Sequence, residues 1–100
     1  MELIHDFAPS ASNPRNSEGS FYRRKDGKIL FFYSKFVGGY DDFSTSVIAV
    51  ATFSEDGKTL LPGERILFHT SDFGEDAQNV MCTSCFPLTN GDLALFFLVR

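Results

Sequence analysis

Three short turns frame what this chain can become. Asp26-Gly27, Asp56-Gly57 and Asn90-Gly91 each lie between runs of apolar residues. Asp-Gly and Asn-Gly in that setting are the strongest short-range hairpin signals, because both residue types tolerate the backbone of a tight reversal. The runs cover residues 17–22, 29–33, 47–53, 66–68, 80–88 and 93–99. No window carries an apolar stripe of period 3.6 long enough for a helix. Several runs are apolar at successive positions, as in strands covered on both faces. The 12 phenylalanines favour strands over helices. The fold class expected is all-β and antiparallel.

The chain also repeats itself. Ile29-Leu30-Phe31-Phe32-Tyr33 follows Asp26-Gly27, and Leu93-Ala94-Leu95-Phe96-Phe97 follows Asn90-Gly91, with Gly91 standing 64 residues after Gly27. A hairpin recurring at so long a period fits the blade of a β-propeller. The expected organisation is an irregular segment over 1–16, with Pro9 and Pro14, then a first four-stranded blade over 17–70. Residues 71–100 form the first half of a second blade.

An up-down-up-down blade assigns its own ends. The first strand runs from Arg15 to the Asp26-Gly27 turn and the second returns, so Arg15, Lys35 and the Asp41-Asp42 loop share one end. The third strand carries Ser54-Glu55-Asp56-Gly57 to the opposite end, and Asn79 and Arg100 rejoin the first. Arg23-Arg24-Lys25 falls at the far end. A six-residue strand spans about 20 Å, so that basic cluster cannot act at Arg15.

Charge and hydropathy narrow the partners. A net charge of −4 argues against a nucleic-acid partner, whose binding surface is basic. No run approaches the roughly 18 apolar residues of a membrane-spanning helix, so no membrane partner is expected. The opening Met1-Glu2-Leu3-Ile4-His5-Asp6 lacks the basic-then-apolar pattern of a signal peptide, which points to the cytoplasm. Cys82 and Cys85 form a Cys-x-x-Cys pair, but zinc needs four ligands and His5 and His69 are distant in sequence. Buried structural cysteines are the expectation, with no metal and no cofactor.

Four segments, taken in order, resemble one family. They are Asn13-Pro14-Arg15-Asn16-Ser17-Glu18-Gly19-Ser20, residues 25–36, Asp41-Asp42 with 44–60, and Asn79-Val80-Met81 through Arg100. Together they resemble the sialidases (neuraminidases) and related Asp-box repeat proteins, over nearly the whole chain after residue 12. The resemblance implies a six-bladed β-propeller that removes terminal sialic acid, or a related acidic sugar, from glycans. It makes Arg15 one arginine of a substrate-carboxylate triad, and Asp42, or else Asp41, the general acid/base. Lys35 lies near the position of a second family arginine, where lysine keeps charge but loses bidentate geometry. The remaining triad arginines, the tyrosine nucleophile and its glutamate belong to later blades, so the 100-residue chain by itself is expected to be inactive. Ser54-Glu55-Asp56-Gly57-Lys58-Thr59-Leu60 resembles an Asp-box, with Leu60 where an aromatic is usual and no residue between Asp56 and Gly57.

The chemistry fits these residue types, and each has a plain structural alternative. Guanidinium grips a carboxylate through parallel charge-assisted hydrogen bonds, although an Arg after Pro is ordinarily a solvated loop residue. Burial and a neighbouring carboxylate raise an Asp toward general-acid duty, although Gly-Gly-Tyr-Asp-Asp also reads as a turn capped by Asp. Tyrosine serves as nucleophile in sialidases because a carboxylate would repel the anionic substrate. Asn79 either contacts the sugar or shapes a turn. Two rival readings stand beside the enzyme. One is a non-catalytic propeller fragment that binds glycan or protein, and the other is a fragment that self-associates through open sheet edges.

Overall fold

The computed structural model describes residues 7–100, the side chain of Cys82 excepted. Residues 1–6, including His5 and the opening read for a signal pattern, lie outside the described residues. Six strands follow in order: β1 (Arg15–Arg23), β2 (Ile29–Phe36), β3 (Ser46–Phe53), β4 (Arg65–His69), β5 (Val80–Pro87) and β6 (Leu93–Val99), with one 3-10 turn at Thr70–Phe73. The first four form an antiparallel sheet in chain order, and β5 and β6 form a second, two-stranded one. The apolar runs locate every strand. β1, however, begins at Arg15, inside the segment expected to be irregular.

The three turns share one construction. Gly27 N–H donates to Arg24 O, Gly57 N–H to Ser54 O and Gly91 N–H to Leu88 O, at 3.0, 2.9 and 3.2 Å. Only the glycine adopts positive φ, at 90°, 72° and 91°, so each is a type I turn closed by a left-handed glycine rather than a two-residue type I′ turn. The preceding Asp26, Asp56 or Asn90 accepts from the backbone N–H two residues on, at 3.1, 2.9 and 3.0 Å. Ser54 Oγ also donates to Asp56 at 2.6 Å. That hydroxyl, with the Lys58 N–H, holds the Asp56 carboxyl below the usual range. Leu60 packs on the cluster of Tyr33, Ala49, Ala51 and Phe53, so an aliphatic side chain fills the place the Asp-box aromatic would take.

The repeat extends to hydrogen-bond register. Ser17↔Ser34, Ser20↔Phe32 and Arg23↔Ile29 of the first hairpin recur 64 residues later as Met81↔Leu98, Ser84↔Phe96 and Pro87↔Leu93. The register shifts at the same place in both, between Ser17 and Ser20 and between Met81 and Ser84. In the first hairpin this bulge sets Gly19 against β2. A Cβ there would lie 2.3 Å from the Phe31 ring and 2.8 Å from Phe32 O, so only glycine fits.

The second sheet lies across one face of the first. That face carries Phe32, Ser34 and Phe36 from β2 and Val50, Ile48 and Ser46 opposite them on β3. Ile48, Phe36 and Val80 are fully buried between the sheets. Polar groups make the joint specific. Ser46 Oγ donates to Val80 O at 2.5 Å and accepts from Val80 N–H at 2.9 Å. Thr83 Oγ1 donates to Phe32 O at 2.8 Å. At the outer side, Phe97 of β6 stacks on Phe68 at 5.2 Å and meets Phe73 edge-on at 5.5 Å. Cys85 is half-buried rather than fully buried, its thiol 3.1 Å from Phe21 O. The opposite face of the first sheet holds Phe31, Tyr33 and Phe53 beneath Phe7.

Two serines on the joint face give opposite expectations. Ser46→Ala strands the buried Val80 N–H and destabilises by about 1–3 kcal/mol. Ser34 is equally buried, but its Oγ has no partner. Ser34→Ala therefore leaves stability unchanged or raises it. Urea denaturation of the two variants beside the parent chain checks both signs.

Candidate functional site

β1 starts and β2 ends at the same edge of the first sheet, because Arg15 pairs with Phe36. The loop from Val37 to Thr45 closes over that edge. Val37 and Gly38 N–H both donate to Thr45 O, at 2.9 and 3.1 Å. Asp41 fixes the loop tip, its Oδ1 accepting from Phe43 N–H at 3.0 Å and Ser44 Oγ at 3.1 Å. The loop-cap role weighed for the Asp pair thus falls to Asp41.

Asp42 turns toward Arg15. Their side chains meet at 2.7 Å, and the same Arg15 nitrogen donates to Tyr40 O at 3.1 Å. The guanidinium carbon lies 4.6 Å above the Phe36 ring. A cation over an aromatic face with a carboxylate at its edge is held on two sides. Arg15 is largely covered at 28% side-chain exposure, while Asp42 is open to solvent at 63%. Burial was expected to raise the Asp carboxyl. Instead the hydrogen bond from Arg15, reinforced by its charge, holds Asp42 below the usual carboxylate range.

The second sheet reaches the same loop from below. Asn79 N–H donates to Arg100 O and Arg100 N–H to Asn79 O, at 3.3 and 2.9 Å, so these two residues extend the β5–β6 ladder by one pair. In the 64-residue repeat, Asn79 takes the place of Arg15 and Arg100 that of Phe36. Both side chains converge on the Asp42 carbonyl oxygen. Asn79 Nδ2 donates to it, and Arg100 Nη1 donates to it at 3.0 Å. Arg100 also lies 5.0 Å over the exposed Phe43 ring. Asn79 is fully buried and presents no surface to a sugar. Its amide positions the loop instead.

Arg15, Asp41, Asp42 and Asn79 therefore gather at one end, as the strand directions required. Lys35 does not join them. It pairs with Asn16 in the ladder, one residue out of phase with Arg15, so its side chain leaves by the other face. There it binds Glu64 at 2.9 Å, and Glu64 also accepts from the Tyr33 hydroxyl. Arg100 and Phe43 were given no role from sequence. The strand-end argument already placed Arg100 at this end, but its contact with the acid loop depends on how the two sheets stack.

No family model matches the chain. No curated protein and no solved structure matches it either. What the site can do rests on its geometry. A shallow groove of about 540 Å³ lies alongside, between Pro9, Ser10, Ala11 and Pro14 on one side and Val37, Gly38, Gly39 and Tyr40 on the other.

The ion pair has a defined pH signature. Because the folded value of Asp42 is depressed, the pair contributes stability above the unfolded value of about 3.9, and that contribution is lost as pH falls through the folded value. A carbon-detected NMR titration is expected to place the Asp42 midpoint below that of an ordinary Asp. In Arg15→Gln the midpoint should move up toward it. An unshifted midpoint in the parent chain would contradict the pairing.

Proposed function

We propose that this chain is the first blade and a half of a sialidase-like six-bladed β-propeller, and that the parent protein acts on terminal sialic acid or a related acidic sugar. One observation carries the reading: Arg15, braced on Phe36 at the blade end, already grips a carboxylate, that of Asp42. The Asp42 side chain stands where a ligand carboxylate would bind. The recurrence of one hairpin, in register and with the same bulge, supports the blade assignment.

The pairing suggests an exchange mechanism. An incoming sugar carboxylate takes the Arg15 donors, and Asp42 loses the hydrogen bond and charge that keep it ionised. Its affinity for a proton then rises in the complex, the direction a general acid needs when it protonates a leaving oxygen. Asn79 and Arg100 hold the Asp42 backbone still while its carboxyl changes partner. Exposed Tyr40 offers an aromatic wall at the groove. The tyrosine nucleophile and the further arginines of the sialidase scheme are expected on later blades.

A second reading has its own support. Asp42 is held ionised and Lys35 is engaged on the opposite face, which favours binding of an acidic glycan without turnover.

N-acetylneuraminic acid titrated into the labelled chain should shift the Arg15 and Asp42 resonances and raise the Asp42 midpoint. Arg15→Ala should abolish both effects, and uncharged N-acetylglucosamine should produce neither. A fluorogenic sialoside should not be hydrolysed by the 100-residue chain. Shifts that persist in Arg15→Ala would overturn the carboxylate site. Turnover that Asp42→Ala abolishes would overturn the incomplete-site reading.

A further inference from the structure

Sheet edges differ in how well they are guarded. β1 carries the Glu18-Gly19 bulge and ends in Arg23. β4 is short and begins and ends in Arg65 and His69. β5 has its own register break and ends in Pro87. These are the usual devices that prevent a strand from pairing with another chain. β6 has none of them. Its seven residues, Leu-Ala-Leu-Phe-Phe-Leu-Val, include no charge, no proline and no glycine. It pairs with β5 on one side, and among the described residues no strand pairs with its other side. In the first hairpin the equivalent edge, that of β2, is covered by β3 along its whole length.

We propose that the open edge of β6 pairs antiparallel with β6 of a second copy of this chain, about a two-fold axis at Phe96. Two features select this occupant and register. Phe96 is the midpoint of Leu93–Val99, so an axis there pairs all seven residues and leaves no overhang. The same register sets Asp92, just before the strand, opposite Arg100 of the second copy, just after it, and the symmetry repeats that pair at the other end. Opposite charges directly across an antiparallel pair are favourable, and like charges are not. Arg100 commits one donor to the Asp42 carbonyl and retains others. At the centre the two Phe96 rings meet side by side. Phe96 is 63% exposed and Leu98 45% exposed on the same face, so pairing covers apolar surface now in water. The product is a continuous four-stranded sheet, β5-β6-β6-β5, as wide as the first. An isologous contact of this kind closes on itself and stops at two copies.

Sedimentation equilibrium of the 100-residue chain, from micromolar to submillimolar concentration, tests this. The expected species is a reversible dimer of twice 11.2 kDa. Asp92→Arg and Arg100→Asp should each weaken it roughly tenfold, and the double swap should restore it to within about threefold, because the reversed charges again face each other. Phe96→Lys sets two ammonium groups on the axis and should leave a folded monomer with an unchanged circular dichroism spectrum. Phe96 is exposed, so this variant does not disturb the core. A monomeric parent chain at the highest concentration would overturn the proposal. So would a dimer indifferent to Phe96→Lys, or a double swap no stronger than the single reversals.

Discussion

The hydroxyl of Ser46 determines where the second sheet sits. Buried between β3 and β5, it both donates to and accepts from the backbone of Val80. Apolar packing alone would tolerate a small slide of one sheet over the other, because burial is non-directional. A hydroxyl satisfied twice by one residue does not, since a shift would leave a buried N–H and a buried carbonyl unpaired. Thr70 strengthens the anchor by donating to Ser46 O at 2.7 Å. Asn79 directly precedes Val80, and Arg100 pairs with Asn79. The joint therefore carries both side chains to the Asp42 carbonyl, and the loop is held because the sheets are.

The Arg15–Asp42 pair plays a different part. Exposed ion pairs add little to stability, and this carboxylate is open to solvent. Its importance is local: it gives Arg15 a partner that a competing carboxylate can replace. Arg15 itself is fixed by the Phe36 ring and the Tyr40 carbonyl, so the cation stays in place when its partner changes. A fixed guanidinium beside a mobile, solvated carboxylate is arranged for exchange, whereas two buried partners would be locked together.

Much of this architecture is legible in the sequence because turns and strands are local. The three Gly-containing turns mark the reversals, and counting reversals puts Arg15, the Asp loop, Asn79 and Arg100 at one end. Faces are harder to read than ends. Lys35 shares the end with Arg15 but leaves by the other face, because side-chain direction alternates and a single step of register reverses it. The turn residues do not announce the bulge at Glu18-Gly19, which comes from the close approach of β1 to the Phe31 ring. Asn79 looks like a surface turn residue until the second sheet closes over it. Asp42 looks like a carboxyl awaiting burial, but the loop leaves it in solvent with a cation beside it. Each departure arises from tertiary contacts between segments distant in the chain.

Native-state hydrogen exchange at the Val80 amide tests the central role of the joint most directly. If Ser46 locks the second sheet onto the first, this amide exchanges only through global unfolding, and its protection matches the stability measured by denaturant. Exchange well ahead of the β2 and β3 amides would mean that the second sheet opens separately. The joint would then not be what holds Asn79 and Arg100 against the Asp42 loop.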